Sequence, residues 1–420
     1  MSAIASASTE PIRLTVRANF AWTLAGNIAH AGAQWVLILV LARFASAEVV
    51  GAYALALAVA SPVFLLANLH LRTVHATDIG EEFSFETYLG LRLLSSAAAA
   101  CVLLVSAVAG LGGSGGGILA ALAIGKMLES LSDLFYGRFQ LRERMAHIGK
   151  SMILRSMGVV MVMTLALKSG AGVVVGTWAC AAVCAAALAF DAAAALSMEM
   201  TGKLRLDPDW GTMRRLARRV APLSLVLLFV SLNANVPRYV LAALAGEREV
   251  GVFSALASLA VAANTLVMAL GQSTSTRLAL SFFAGDLTVF LRKGAVLLLL
   301  AVALGAAGIT AAIAAGPQLL ALLYGSAYAG ASKAFRWVMV GGALSYVGAA
   351  AGYMLSSARC FTPQLPLLAG ATLVTAIVSI LLVPGLGVAG AAMGQAAGYL
   401  VQMMASFFVL GHWCRKQFAR

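Results

Sequence analysis

Three charged residues share one face of an otherwise apolar segment. Lys126, Glu129 and Asp133 stand three and four residues apart in GILAALAIGKMLESLSDLFYGRFQ, a spacing that places them on one side of a helix. Lys126 can pair with Glu129, and the second acid one turn further on disfavours simultaneous ionisation of both carboxyl groups. This chemistry suits a site that takes up and releases an ion. The alternative is an internal salt bridge, with Asp133 near the end of the helix.

A second polar group lies in APLSLVLLFVSLNANVPRYVLAALAG. Asn235 and Arg238 are three residues apart and share a helix face. A guanidinium is a planar fork of donors that matches phosphate oxygens, so this pair predicts contact with an anionic ligand. The alternative is that Arg238 extends its charged end to the surface beyond the nearby helix end.

A polar stripe without charge runs along the first apolar segment. Asn19, Thr23, Asn27, His30 and Gln34 recur at spacings of three or four residues, which is one helix face. We expect Asn27, His30 and Gln34 to line a cavity. The imidazole of His30 titrates near neutral pH, and a buried histidine with satisfied hydrogen bonds is the alternative interpretation.

Asp191 is an isolated acid in a further apolar segment, either an ion-coupling group or the partner of an unassigned base. The five cysteines and five histidines show no disulfide or metal-ligand spacing. The glycine-rich run at 110–117 lacks the Lys-Ser/Thr that completes a phosphate-binding loop. The sequence therefore predicts no metal, no cofactor and no catalytic residue.

The composition decides what positions these residues. Of the 420 residues, 61% are hydrophobic and only 11% are charged, whereas an average soluble domain has about 25% charged residues. A membrane-spanning helix needs about 20 mostly apolar residues. A soluble enzyme, a secreted disulfide scaffold and a disordered chain are excluded. The predicted spans are 19–42, 49–69, 88–109, 117–137, 151–168, 173–198, 220–243, 250–271, 293–314, 333–357, 365–383 and 388–410.

The basic residues predict the orientation. With twelve spans, 22 of the 29 Lys and Arg residues fall in segments on the side of the N-terminus and five on the other side. Because cytoplasmic segments carry the excess of Lys and Arg, both termini are predicted to be cytoplasmic. In this count only Lys126 and Arg238 lie inside spans.

The two halves of the chain repeat each other. Residues 40–60 align without gaps on residues 240–260 with seven identities, including Gly51 with Gly251, and Leu91-Arg92 matches Leu291-Arg292. Six helices separate the copies, so the halves have the same orientation. The predicted fold is an all-α polytopic membrane protein with two pseudo-symmetric six-helix lobes around a central cavity. The predicted units are a cytoplasmic segment 1–18, lobes 19–200 and 220–410, a basic linker 201–219 and a basic tail 411–420.

Three stretches together resemble one family. They are residues 221–260, the segment FYGRFQLRERMAHIGK and the segment GLGVAGAAMGQAAGYLVQ. The sequence is similar to the polysaccharide transporter, or O-antigen flippase-like, family of the multidrug/oligosaccharidyl-lipid/polysaccharide exporter superfamily. That family often has an acid before the arginine at the position of Arg238, where this chain has Pro237.

The resemblance implies a transporter that flips a lipid-linked oligosaccharide or polysaccharide precursor from the cytoplasmic to the outer leaflet of the bacterial inner membrane. Implied partners are the lipid-linked glycan and other polysaccharide-assembly membrane proteins. The linker arginines predict contact with anionic phospholipid at the cytoplasmic face, and no nucleic acid is expected. The alternatives are a cation-coupled drug or metabolite antiporter of the same superfamily, a major-facilitator transporter and a membrane enzyme, the last two disfavoured by the short loops and missing motifs.

Overall fold

The computed structural model describes residues 16–78, 82–110, 115–197, 209–358, 360 and 363–418. These residues form thirteen α-helices and a short 3-10 helix at Ser326–Ala331. The α-helices are α1 (Val16–Phe44), α2 (Ala47–Ala67), α3 (Leu71–Thr77), α4 (Phe85–Val108), α5 (Gly116–Leu141), α6 (Met145–Lys168), α7 (Gly172–Ser197), α8 (Trp210–Leu244), α9 (Glu247–Phe283), α10 (Leu287–Tyr324), α11 (Ser332–Ser357), α12 (Gln364–Leu386) and α13 (Val388–Phe418).

The twelve predicted spans correspond to the twelve long helices, and α3 is an additional short helix. Within the described residues, eleven helices are long and apolar enough to cross a membrane. The exception is α5, because Lys126, Glu129 and Asp133 interrupt its apolar run. The one long helix of the described residues without a sufficiently apolar run is therefore the helix that carries the charged face.

The helices form two lobes. The N lobe contains α1 to α7 and the C lobe α8 to α13, and each lobe packs mainly on itself. Contact between the lobes runs through α2, which packs on α8 and α9, and through α1, which packs on α9. Because consecutive long helices run in opposite directions, the bundle has two ends. The termini end carries both chain termini, and the distal end carries the α1–α2 and α8–α9 turns.

The repeated glycines meet at the distal end. A Cβ atom on Gly51 would lie 1.8 Å from the carbonyl oxygen of Glu247, and one on Gly251 would lie 2.0 Å from that of Ala47. Glu247 and Ala47 are themselves related by the 200-residue offset of the repeat. Because neither position has room for a side chain, α2 and α9 cross here backbone to backbone, on the pseudo-symmetry axis.

The buried cores show how the lobes meet. At the distal end one continuous apolar core contains residues of both lobes, such as Leu41 and Val50 with Phe253 and Leu256. Toward the termini end the cores separate. One packs within the N lobe and takes in the first turns of α8, and two others lie within the C lobe. The lobes are thus joined at the distal end and diverge toward the termini end.

Polar contacts across the lobes reinforce the distal junction. Arg43 donates from Nε to the carbonyl oxygen of Leu323 over 2.7 Å, and Trp35 donates from Nε1 to the Tyr324 hydroxyl over 3.3 Å. Both acceptors follow the kink of α10 at Ala315, a non-helical residue two positions before a proline. The sequence prediction ended this span at residue 314, one residue before the observed kink.

The second lobe begins earlier than its predicted span. Asp209 caps α8 by accepting hydrogen bonds from the backbone N–H groups of Gly211 and Thr212 at 3.0 and 3.3 Å. Hydrogen bonds from the Thr212 side chain and backbone lower the pKa of the Asp209 carboxyl group. Residues 210–219 of the predicted linker are therefore helical. Residues 1–15 of the predicted N-terminal segment, and residues 198–208 at the junction of the first lobe and the linker, lie outside the described residues.

Candidate functional site

A cavity of about 300 Å³ lies between the lobes on the termini side of the glycine crossing. Five helices of the N lobe and two of the C lobe, α8 and α9, line it. Val261, one of its lining residues, is 60% exposed, so the cavity is open rather than enclosed. The continuous distal core closes it on the opposite side.

The N-lobe wall of the cavity carries a compact ion group. Glu129 on α5 accepts from Lys126 Nζ at Oε2 over 2.8 Å, and Arg155 Nη2 on α6 lies 3.3 Å from its Oε1. Arg155 is only 6% exposed, and its Nη1 has no hydrogen-bond partner among the described residues. The ion pair expected between Lys126 and Glu129 is present, with a second cation that the sequence reasoning did not assign to it.

The C-lobe wall carries an arginine held by neutral groups. Arg238 donates to Ser254 Oγ on α9 over 3.0 Å, to the carbonyl oxygen of Ala234 over 3.0 Å and to Asn235 Oδ1 over 2.9 Å. Its guanidinium lies 5.6 Å from the centroid of the Phe253 ring. No carboxylate of the described residues lies within ion-pair distance of Arg238. The side chain faces the cavity instead of reaching for the helix end.

The stripe on α1 is divided between two environments. His30 and Gln34 line the cavity, and their side chains are joined by a 2.9 Å hydrogen bond between His30 Nε2 and Gln34 Nε2. Asn27 lies one turn closer to the termini end, is exposed and does not line the cavity. The α1 face therefore reaches the cavity only in its distal half.

Asp133 belongs to a different cluster. It pairs with Arg72 of α3 at 2.9 Å and with Arg92 of α4 at 3.7 Å. Arg92 has no solvent exposure and also donates to Asn68 and Ser130. Because Glu129 and Asp133 each have their own cations, the structure does not bring the two acids together as an electrostatically opposed pair.

Asp191 is also remote from the cavity lining. Its carboxylate is fully buried, lies 3.1 Å from His147 Nε2 and accepts from Ser151 Oγ over 3.1 Å. The His147 ring stacks on Phe190 and tilts against Phe139. The base that the sequence left unassigned is therefore His147, 44 residues earlier in the chain.

The positions of Arg155 and Arg92 correct the count of charged residues inside spans. Both were assigned to cytoplasmic segments because they fall near the start of predicted spans. Since α6 begins at Met145, Arg155 lies ten residues into the helix, which is about 15 Å along its axis. The statement that only Lys126 and Arg238 lie within spans is wrong, and Arg155 joins them at the cavity.

The charges of the cavity favour an anion. Three cationic side chains, Lys126, Arg155 and Arg238, face one carboxylate, Glu129, which leaves a net charge of +2 with His30 neutral. Hydroxyl and amide groups at Ser254, Ser258, Asn235 and Gln34 add neutral hydrogen-bonding capacity. The described residues contain no cluster of three or more His, Cys, Asp or Glu side chains arranged to hold a metal ion.

Solved structures share this arrangement of lobes. A multidrug resistance MATE family transporter of the MOP superfamily in an inward-facing conformation superposes with a TM-score of 0.73 at 16% identity, covering 97% of this chain and 96% of that one. A MOP superfamily transporter from Pyrococcus furiosus, described as having a binding pocket of reverse polarity, gives a TM-score of 0.65 at 15% identity, with 97% of both chains covered. These likenesses show the fold, which is that of a multi-pass membrane protein with two lobes.

Sequence comparison identifies the family. Residues 16–275, more than half of the chain, match the family described as Polysaccharide biosynthesis protein, and the chain belongs to that family. Among curated proteins it is similar to the capsular polysaccharide biosynthesis protein CapF of Staphylococcus aureus, with 23% identity over 310 residues, 74% of this chain and 78% of that protein. The predicted resemblance to a polysaccharide transporter family is confirmed.

Proposed function

We propose that this protein flips a lipid-linked oligosaccharide or polysaccharide precursor from the cytoplasmic to the outer leaflet, with its diphosphate in the cavity and its lipid tail in the bilayer. The observation that carries the proposal is the net positive cavity between the two lobes. Arg238 is decisive within it, because a half-buried guanidinium without a carboxylate partner among the described residues favours an anionic ligand. Family membership and the similarity to CapF support a glycan as the rest of the substrate.

Each cavity wall has a part in this proposal. Lys126 and Arg238 approach the diphosphate from the two lobes, and His30, Gln34 and Asn235 donate or accept hydrogen bonds at sugar hydroxyls. Asn27 lies where a substrate enters from the termini end. Transport by alternating access requires no covalent chemistry, so we propose that the protein is not an enzyme.

The basic surface of the termini end supports a proposed orientation in the membrane. In the inner membrane of a bacterium this end lies in the cytoplasm, and the exposed Arg214, Arg215 and Arg218 at the start of α8 contact anionic phospholipid. Other membrane proteins of polysaccharide assembly would deliver and remove the glycan. An O-antigen, a lipopolysaccharide component or an exopolysaccharide unit each fits the proposed class of substrate.

Flipping in reconstituted vesicles tests the proposal. A fluorescent prenyl diphosphate sugar is incorporated with the protein, and the fraction protected from an impermeant quencher reports its transfer between leaflets. Replacing Arg238 or Lys126 with methionine removes one cation each and is expected to slow flipping by at least about tenfold, the loss of one charge-assisted contact. The matched control is Arg336→Met, which removes an exposed arginine of the C lobe that does not line the cavity.

Two results would overturn the proposal. One is unchanged flipping in both Arg238→Met and Lys126→Met. The other is a wild-type protein that does not accelerate flipping at all. In cells, deletion of the gene is expected to trap a lipid-linked glycan in the cytoplasmic leaflet, which tests the direction of transport.

A cation-coupled drug or metabolite antiporter is the second candidate, and Glu129 favours it by placing a carboxylate in the N-lobe wall of the cavity. Such a protein would bind cationic dyes in competition with protons. Loss of dye efflux on deletion, without accumulation of a lipid-linked glycan, would favour this function over flipping.

A further inference from the structure

Glu129 already occupies the position that an anionic ligand would take. Its two carboxylate oxygens are divided between two cations, with Oε2 2.8 Å from Lys126 Nζ and Oε1 3.3 Å from Arg155 Nη2. A phosphate group offers the same feature, two or more oxygens on one centre that can each accept from a cation. Glu129 and a substrate phosphate therefore compete for the same donors.

The two cations, Lys126 and Arg155, differ in how freely they can move away from Glu129 to bind a phosphate. Arg155 is almost completely buried and its Nη1, which has no hydrogen-bond partner among the described residues, is inaccessible to solvent, so this guanidinium is held in place with Nη2 directed at Glu129. Lys126 is 28% exposed and ends in a flexible ammonium group that can rotate away from Glu129. A phosphate that approaches this wall can pair first with Lys126 and then with Arg155 Nη2 in place of Glu129.

Loss of its cations changes the protonation of the displaced carboxyl group. An ionised carboxylate in a partly buried site is stable only with a counter-charge or hydrogen-bond donors, and otherwise it takes up a proton. Glu129 is 22% exposed and borders an open cavity, so water can supply that proton. Binding of the anion and protonation of Glu129 are then two halves of one event.

We propose that Glu129 is a resident counter-ion, displaced from Lys126 and Arg155 by the anionic group of the substrate, and that it takes up one proton when displaced. This proposal rests on the proposed function, because it requires an anionic substrate. The proton comes from water on the side to which the cavity is open and forms the O–H bond of the carboxylic acid. When the substrate leaves, Glu129 returns the proton to water and pairs again with both cations.

Other titratable groups around Glu129 compete with this assignment. Glu129 interacts electrostatically with groups on several helices packed around α5. These groups and their charged neighbours are His30 on α1, Tyr53 on α2, Lys126 and Asp133 on α5, Arg155 on α6 and Cys180 and Cys184 on α7, with Arg72 and Arg92 held by Asp133 on the α3 and α4 side. Among them, His30 is a base on the cavity lining with no carboxylate of the described residues within ion-pair distance, so the experiment must separate it from Glu129.

Calorimetry on the full chain in lipid nanodiscs tests the exchange. The probe is a farnesyl diphosphate N-acetylglucosamine, in which each phosphorus carries one ester bond and one anhydride bond and so lacks the second ionisation near pH 6 of a phosphate monoester. Titration in two buffers of different ionisation enthalpy counts the protons taken up on binding. We expect about one proton per probe bound, and affinity that rises by up to about tenfold per pH unit as the pH falls.

Three variants locate the proton. Glu129→Gln mimics the protonated residue, so we expect tight binding without proton uptake. His30→Gln removes the competing group and is expected to keep the uptake. Glu82→Gln is the matched control, because it makes the same chemical change in an exposed ion pair with Arg219 outside the cavity, and it is expected to bind like the wild type. If Glu129→Gln does not fold, Glu129→Asp and the wild-type proton count still decide the question.

The failures of the two proposals differ. A wild type that binds the probe without proton uptake overturns the counter-ion proposal and leaves the proposed substrate class standing. Loss of proton uptake in His30→Gln with retention in Glu129→Gln also overturns it. A wild type that binds no probe at any pH overturns the proposed function, and the counter-ion proposal with it.

Discussion

The two lobes repeat one another in sequence and differ in what stabilises their interiors. In the N lobe, buried polar groups form ion pairs, including Arg92 with Asp133 and Arg155 with Glu129. In the C lobe, the corresponding depth contains neutral contacts, among them Thr375 Oγ1 donating to Asn233 Oδ1 over 2.7 Å. The same repeated architecture therefore holds ion pairs in the interior of one lobe and neutral hydrogen bonds in the interior of the other.

The repeat itself locates the difference. Arg92 and Arg292 occupy equivalent positions, yet Arg92 is completely buried and Arg292 is exposed. A buried ion pair is a weak source of stability, because desolvation of both charges offsets their attraction. Among the described residues, buried ion pairs lie in the N lobe, whereas the C lobe contributes Arg238, which has no carboxylate within ion-pair distance.

The largest expected difference between the lobes comes from replacing the equivalent arginines Arg92 and Arg292 in turn. Arg92→Met removes a fully buried guanidinium that donates to Asn68 and Ser130 and pairs with Asp133, and is expected to lower the free energy of unfolding by about 3 kcal/mol. Arg292→Met, the matched control, removes an exposed arginine and is expected to change it by less than about 0.5 kcal/mol. Thermal or denaturant unfolding in detergent measures both. Equal losses in the two variants would show that the lobes are stabilised alike.

A second effect should be the same in both lobes. Gly51→Ala and Gly251→Ala each place a methyl group against a backbone carbonyl of the other lobe, and overpacking of this kind costs about 1–3 kcal/mol. Gly370→Ala on α12 is the control, because its Cβ would meet no atom within 4 Å, and alanine in a helix is favoured by about 0.5–1 kcal/mol. Unfolding curves that rank Gly370→Ala with the other two would contradict the backbone crossing.

The smallest expected effect concerns a neutral hydrogen bond in the interior of the C lobe. Thr375→Val keeps the side-chain shape but removes the donor to Asn233, and is expected to destabilise the protein by about 1 kcal/mol. Thr265→Val serves as control, since Thr265 is half-buried and its hydroxyl makes a solvent-exposed hydrogen bond to the carbonyl oxygen of Val261 in its own helix. A loss of 3 kcal/mol or more in the same unfolding assay, about the magnitude for a broken ion pair, would remove the distinction between the two interiors.

The fold was predictable because membrane spans depend on long apolar runs that the sequence shows directly. Each predicted span has its helix, and the repeat that aligns Gly51 with Gly251 predicted two similar lobes without showing that these two glycines meet. The predicted spans were too short for α8 and α9, which continue through polar and basic residues, and for α10, which continues past its kink at Ala315 to Tyr324. Hydropathy reports where the membrane is, and helices continue past it.

The site was only partly predictable. Lys126, Glu129 and Arg238 were found because charge inside an apolar run stands out. Arg155 was missed because charge near the start of such a run resembles a loop residue, although tertiary packing buries it. The pairing of Asp191 with His147 depends on the approach of α6 and α7, and no local spacing records it.

The crossing of Gly51 with Gly251 has a consequence for the origin of the molecule. Each glycine contacts the partner half at the position equivalent to the one that its partner contacts, which makes the junction isologous, as in a homodimer with twofold symmetry. Such a contact is self-complementary when one six-helix chain meets its own copy. The geometry is that of a twofold dimer of six-helix units whose two halves are joined in one chain and differ in their interior residues.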